Sequence, residues 1–271
     1  MSWSESENSV SAGQPVRLYE FIYGDEKNYR YTSADRQITA EREIWEPIAI
    51  SDSGVATGTD NNEMTVTLPA DTALAQLYTG IPPSSPVKVR IHMLHYGDTS
   101  TQVITVWAGT VTNRKRSNAA TAELSCVSLA ATFTRSGVRL TWGRACPYSL
   151  YDNSCRVSAA GHKLTLTVTA VSGSGVTVNM LSSTPDGWFS GGYIEYTTSG
   201  VTQRRGARTH KGNVIDLFGG AAGLTTGQEI TVLPGCDLTI ATCHNKFSNH
   251  LNYGGIPHLP DINPWQIIKV F

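Results

Sequence analysis

Charge is scarce in this chain. Asp, Glu, Lys and Arg make up 16% of its 271 residues, against about 25% in an ordinary soluble domain. The formal net charge is -1 and the pI about 6.6, so no electrostatic excess draws nucleic acid or an anionic membrane surface as the main partner. So few charges fit two situations equally: a surface covered by other subunits, or a plain Ser/Thr/Gly-rich β protein. No run of about 18 apolar residues occurs, so no transmembrane segment is expected. The opening MSWSESENSVSAGQPV lacks a basic stretch followed by an apolar one and does not read as a secretory leader. Synthesis in a reducing cytoplasm is therefore expected, where disulfides are rare. Catalytic signatures are missing too: no G-x-S-x-G elbow, no Gly-rich phosphate loop and no HExxH. The glycines of GGYIEYTTSG and FGGAAG read as turns in a β protein. The basic run Arg114 to Arg116 reads as a charged turn between two strands.

What the chain does have is alternation. VRLYEFIYG (16–24) and NYRYTS (28–33) flank a GDEK turn and read as a hairpin. EMTVTLP (63–69) alternates strictly. VKVRIHMLHY (87–96) sets Val87, Val89, Ile91, Met93 and His95 on one face, with Lys88, Arg90, His92 and Leu94 on the other. TQVITVWAGTV (101–111) and ATAELSCVSLAATF (120–133) extend this antiparallel meander. One short helix is predicted over Asp71 to Tyr78, with Asp71 as N-cap. After a break near residues 135–160, a second β block runs through KLTLTVTAVSGSGVTVNML, GGYIEYTTSGVTQRRGARTH, GNVIDLF and GQEITVLPGC. From Cys236, DLTIATCHNKF is predicted helical, with Leu238, Ile240, Ala241 and Phe247 as its apolar stripe, and an Asn/Gly/Pro-rich ordered loop follows. The expected fold is mainly β: two lobes of antiparallel β-barrel or sandwich type, with a short C-terminal helix and ordered loop. The expected divisions are a polar tail (1–15), a first β domain (16–142), a cysteine-bearing connection (143–160), a second β domain (161–235) and a cysteine-bearing helix and loop (236–271).

Of five cysteines, four fall into two tight pairs. Cys146 and Cys155 bound CPYSLYDNSC; Cys236 and Cys243 lie in PGCDLTIATCHNKFSNHLNYGGIPHLP. On a helix, the seven-residue step of the second pair is about two turns and would put both thiols on one face. Four converging thiolates can hold a tetrahedral Zn²⁺ or an iron–sulfur cluster. The Cys-x2-4-Cys knuckles usual for zinc are absent, whereas cluster ligands tolerate varied spacing. Plain buried thiols compete with both readings, since free cysteine is among the most buried residue types, and disulfides come last. Cys126, mid-strand in ELSCVSLA, reads as a core thiol. The histidines form a rival group. His244, His250 and His258 crowd the C-terminal loop with Asp261, and His92 and His95 sit on one strand. A hydrolytic metal site needs three ligands and an open position; solvated loop histidines are the plainer reading.

Taken together, RYTSADRQIT, CPYSLYDNSC and PGCDLTIATCHNKFSNHLNYGGIPHLP resemble the baseplate hub, or tail tip, proteins of siphophages and phage-like gene transfer agents, relatives of the tail tip protein L of phage lambda. The resemblance spans about residues 17 to 265 and is most specific at the C-terminal Cys-x6-Cys and its GxPHLP loop. It implies a structural virion protein and no enzyme: a trimeric hub of β-barrel domains that closes the tail tube. The implied partners are two further copies of the chain, the distal tail protein ring, the central tail fibre and the tape measure protein. A [4Fe-4S] cluster held by Cys146, Cys155, Cys236 and Cys243 is also implied, clasping the ends of the second lobe, with Zn as the alternative and Cys126 outside the motif. The implied place is the virion tail tip, after synthesis in the bacterial host cytoplasm. A different class stays beside it: a soluble zinc or iron–sulfur protein with redox or hydrolytic activity.

Overall fold

Alternation becomes sheet in both halves of the chain. The computed structural model describes residues 3–11, 13–24, 27–55, 63–96, 102–134, 137, 142–179 and 184–260. Contacts divide the protein into two units, Met1–Arg135 with Thr197–Gln203, and Ser136–Tyr196 with Arg204–Phe271.

The first unit opens with a short helix, α1 (Trp3–Glu7), inside the polar stretch that precedes the first strand. Its strands are β1 (Pro15–Tyr23), β2 (Lys27–Thr32), β3 (Ile38–Ala40), β4 (Glu43–Pro47), β5 (Ser51–Asp52), β6 (Glu63–Pro69), β7 (Val87–His95), β8 (Ile104–Arg116) and β9 (Thr121–Ser128). They form one sheet in the order β3-β4-β2-β1-β7-β8-β9-β6-β5. The expected β1–β2 hairpin is present, with Tyr19 opposite Tyr31; its turn residues Asp25 and Glu26 lie outside the described residues. Alternate residues of β1, β6, β7 and β9 point into one core. Tyr19 and Phe21 of β1, Val66 and Leu68 of β6, Val89 and Ile91 of β7 and Leu124 of β9 are all buried there, as a period of two requires. Val16 and Leu18 of β1 pack with Ile38, Ala40 and Trp45 in a second cluster. The fold is mainly β as expected, with the refinement that β2 and β4 run parallel.

Local chemistry corrects three of the expectations. The helix α2 spans only Ala73–Gln76, and its N-cap is Thr72, not Asp71. The Thr72 hydroxyl accepts from the Ala75 amide at 3.3 Å, the three-residue reach that a capping side chain needs. Arg114 to Arg116 are not a turn: β8 runs through them, and Arg114 Nη1 donates to Thr79 Oγ1 at 2.9 Å. Beyond Ser128 the chain leaves the sheet and winds into a 3-10 turn over Leu129–Thr134.

Cys126 sits on β9 opposite Met64 of β6, fully buried. Burial pushes its thiol up to about 12, so the nucleophilic thiolate is nearly absent near neutral pH. Native protein treated with iodoacetamide should therefore leave Cys126 unmodified, while denatured protein should label it fully. Peptide mass mapping reads the difference, and native labelling at Cys126 would contradict this burial.

The second unit is built on a closed barrel. Its strands are β10 (Leu164–Ser172), β11 (Gly175–Val178), β12 (Tyr193–Thr198), β13 (Val201–Lys211), β14 (Val214–Leu217) and β15 (Glu229–Leu233), ordered β10-β11-β14-β13-β12-β15. Val168, Val176, Phe189, Ile194, Ile215, Ile230 and Val232 fill it. Closure leaves no unpaired edge. It also sets the position of everything outside the barrel. The closing pair β10–β15 is antiparallel, with Leu164 opposite Val232. The chain therefore enters and leaves the barrel at the same end.

Candidate functional site

The segments just before β10 and just after β15 are the two that carry the paired cysteines. Barrel closure thus delivers four thiols to one place. In the first segment the Asp152 carboxylate organises the loop: it accepts from the amides of Ser149 (3.1 Å), Ser154 (2.9 Å) and Cys155 (2.6 Å), a local bonding pattern typical of Asp in turns. In the second, α3 covers only Ile240–Asn245. The expected helix through both cysteines is corrected here, because Cys236 precedes it and only Cys243 lies within it. Asp237 and Thr239 stop the helix from starting sooner. The Asp237 carboxylate accepts from the Thr239 amide and hydroxyl (3.0 and 2.8 Å), and Thr239 Oγ1 in turn caps the Thr242 amide. Such bonds compete with helical ones. Leu238 and Ile240 are exposed rather than part of an apolar stripe, while Phe247 is buried.

Cys146, Cys155, Cys236 and Cys243 line a single small cavity of about 20 Å³. Its other walls are mostly apolar or aromatic, among them Tyr148, Leu150, Val157 and Phe247, with Thr239, Asn249 and Asn252 as the polar members, and no carboxylate lines it. The two loops are sewn together: Cys146 N donates to Leu238 O (3.0 Å), and Tyr151 Oη donates to Pro234 O (2.9 Å). Asn249 links two cysteine segments, its side chain donating to Cys155 O (2.6 Å) and its backbone N–H to Cys243 O (2.9 Å). Lys246 Nζ donates to Gly235 O (2.7 Å) and to Trp188 O, holding the approach to Cys236. The glycines of GGIPHLP now have a reason. A Cβ on Gly254 would meet the Tyr148 ring at 2.4 Å, and one on Gly255 would meet Arg144 O at 2.5 Å. Only glycine lets the C-terminal loop lie this close against the chain leading to Cys146.

Backbone strain concentrates here as well. Seven described non-glycine residues have positive φ, and four of them, Tyr151 (69°), Arg156 (64°), Leu238 (63°) and Ser248 (50°), flank the cysteines. Each costs about 1 kcal/mol or more, so the surrounding bonds over-determine this geometry. Burial raises the Cys236 and Cys243 thiols above the ordinary range, and the charges of the neighbouring cysteines raise them further. Bare thiolates are therefore disfavoured, and a cationic occupant would reverse that. Two N–H groups already point at sulfur, Leu238 N at Cys236 Sγ (3.4 Å) and Asn249 Nδ2 at Cys155 Sγ (3.9 Å).

Which group would these residues fit? Among the described residues, no three Cys, His, Asp or Glu side chains are placed around a single metal ion. Zinc needs its thiolates about 2.3 Å from one point, whereas a cubane cluster spreads four thiolates over four irons. Four thiols round a mostly apolar cavity, with N–H donors aimed at sulfur, make a soft donor set of the kind that holds an iron–sulfur cluster or zinc.

The other candidates do not assemble. His92 bonds Thr105 Oγ1 (2.9 Å) and His95 bonds Glu7 Oε1 (2.7 Å), each within the first unit's sheet or helix. His244 meets His250 with Nδ1 atoms 2.9 Å apart; His258 is exposed, and Asp261 lies outside the described residues. A larger open cleft beside α3 is lined by Asp186, Trp188, Asp237 and Lys246. Its charged groups are already engaged, Asp186 by the Gly212 amide (2.7 Å), Asp237 by Thr239 and Lys246 by the two carbonyls.

Two family models match different parts of the chain, each taking in one cysteine pair. The family described as "Baseplate hub protein, N-terminal attachment domain" matches residues 9–158, more than half of the chain and including the first cysteine pair. A second, "Phage conserved hypothetical protein BR0599", matches residues 187–263 and includes the other pair. No curated protein matches the chain. Among solved structures, a chain of the "Virion of native gene transfer agent (GTA) particle" is similar over 98% of this chain and 94% of its own, with a TM-score of 0.78 at 20% identity. That likeness establishes a shared fold.

Proposed function

The chain belongs to the phage baseplate hub proteins that carry this N-terminal attachment domain, a structural component of the virion tail, and from that premise we propose that it works as a trimeric hub with a structural [4Fe-4S] cluster. Three copies close the end of the tail tube and join the distal tail protein ring to the central tail fibre, with the tape measure protein as a further neighbour. Cys146, Cys155, Cys236 and Cys243 hold the cluster. The observation that carries this reading is that all four thiols line one mostly apolar cavity where the chain enters and leaves the barrel.

When bound, the cluster supplies four strong iron–thiolate bonds between two segments far apart in sequence. Joining such segments constrains the unfolded chain, and the binding free energy adds to folding directly. The protein's own residues do the positioning. Asp152 shapes the Cys155 loop, Thr239 sets the start of the helix bearing Cys243, and Asn249 ties the two together. Support for a covered surface comes from low charge and from large apolar side chains left in solvent: Phe133 and Trp142 are each 86% exposed and Leu251 is 88% exposed. Isolated apolar residues at the surface are ordinary, but aromatics this exposed suit a subunit contact.

A symmetry-resolved reconstruction of native tails, with quantitative mass measurement, tests the hub. Three copies per tail tip are expected, with density joining the four cysteines. Six copies, or a protein absent from purified virions, would overturn it.

A further inference from the structure

We propose that His244 and His250 form a second, independent metal site: a two-imidazole chelate for a divalent transition-metal cation such as Ni²⁺ or Cu²⁺. His244 closes the last turn of α3, and His250 opens the 3-10 turn His250–Asn252. Six residues apart, they match no helical spacing. The chain reverses between them, through Ser248 at φ 50°, and backbone bonds from Ser248 N to His244 O (3.0 Å) and Asn249 N to Cys243 O (2.9 Å) fix the reversal. Both side chains are exposed. Their Nδ1 atoms lie 2.9 Å apart, with ring centroids at 4.6 Å and planes at 77°.

The short separation carries the argument. Without metal, one ring's Nδ1–H donates to the other's Nδ1 lone pair. A cation takes that proton's place: the proton leaves to water, and both lone pairs donate to the ion once the exposed rings turn to meet it. With metal–nitrogen bonds of about 2.0–2.1 Å, nitrogens 2.9 Å apart subtend about 90° at the ion. That is the cis angle of square-planar or octahedral coordination rather than the wider tetrahedral one. Because the rings turn on binding, that angle does not by itself choose the ion; Ni²⁺ and Cu²⁺ are favoured by their high general affinity for nitrogen sites. Water fills the remaining positions. A bridging ion braces α3 against the turn that follows it. That turn begins beside Asn249, whose amide holds Cys155 O at 2.6 Å. The ion would thus stiffen the clasp from outside, whatever occupies the thiol cavity.

Calorimetric titration with Ni²⁺, which does not oxidise thiols, tests this on the full chain and on His244→Gln, His250→Gln and His258→Gln. The thiols are identical in all four proteins, so differences report the histidines. Wild type and His258→Gln should each bind one more equivalent than the other two, and either single loss should weaken that binding at least about tenfold, because the second imidazole acts at high effective concentration. Ni²⁺ should also raise the melting midpoint of wild type but not of His244→Gln. Equal uptake by all four proteins, or an equal loss in His258→Gln, would sink the proposal.

Discussion

Serine at Cys155 is expected to empty the protein of iron and sulfide and to remove most of the second unit's stability. Anaerobically purified wild type should carry about four irons and four acid-labile sulfides per chain, with broad visible absorbance that bleaches on reduction by dithionite. The two rival readings of the cysteines differ here by a wide margin. If Cys155 were only a buried thiol, its serine variant would lose about 1–3 kcal/mol, the penalty for placing a hydroxyl in an apolar site. If it anchors a metal group, the loss is on the order of the group's own binding energy, about 10 kcal/mol or more for structural metal sites. That is comparable with the whole stability of a domain. Cys126→Ser is the matched control: Cys126 is more deeply buried than Cys155 but lies in the first unit, so it should retain full iron. Iron and sulfide assays with melting curves of the three proteins decide the matter. Wild type lacking both elements, with Cys155→Ser losing no more than about 1–3 kcal/mol, would refute the cluster.

Much of this was legible in the sequence, and the failures share a cause. Period-two alternation located the strands because burial of every second side chain is a local property. Barrel closure is not local. Nothing in the alternation of β10 or β15 says that Leu164 pairs with Val232, yet that pairing is what turns two cysteine pairs into one cavity. Both helix starts were placed too early, Asp71 for Thr72 and Cys236 for Thr239. In each case a run of apolar residues at helical spacing outweighed a threonine just before it. The threonine carried the better signal, because its hydroxyl takes the amide three residues on. The left-handed residues around the cysteines were illegible for a different reason. Tyr151, Arg156, Leu238 and Ser248 are not the glycine or asparagine that normally marks such a conformation, and only the surrounding bonds impose it. The GxPHLP loop stood out as a motif, but its physical role depends on Tyr148 and Arg144, more than a hundred residues away.

Alanine at Gly235 should be the most damaging single-methyl change in the second unit. A Cβ there would lie 1.9 Å from Ser190 O, 2.3 Å from Gly192 N and 2.4 Å from Gly191 C. All three are backbone atoms, so no side-chain rotation relieves the clash. Neither side has freedom to retreat. The facing turn is tied to β13 by Gly191 N to Ala207 O (2.9 Å) and Ala207 N to Gly192 O (2.8 Å). Lys246 bonds both faces at once, through Trp188 O and Gly235 O, so separating them breaks a half-buried ammonium's partners. Burial already disfavours the charge on that lysine, and losing a carbonyl would add to the cost. Overpacking of this kind costs about 3 kcal/mol, or roughly 6–12 °C in melting midpoint for a unit of this size. Gly161→Ala is the comparison, since a Cβ there meets nothing within 4 Å and should leave the midpoint unchanged or slightly higher. A Gly235→Ala protein melting with wild type would show the close approach to be unnecessary. The iron content of the same variant separates two further possibilities. Gly235 adjoins Cys236, so displacing it should also cost iron if the thiol cage must keep its shape. A destabilised protein that keeps its iron would mean that the close approach serves the barrel alone.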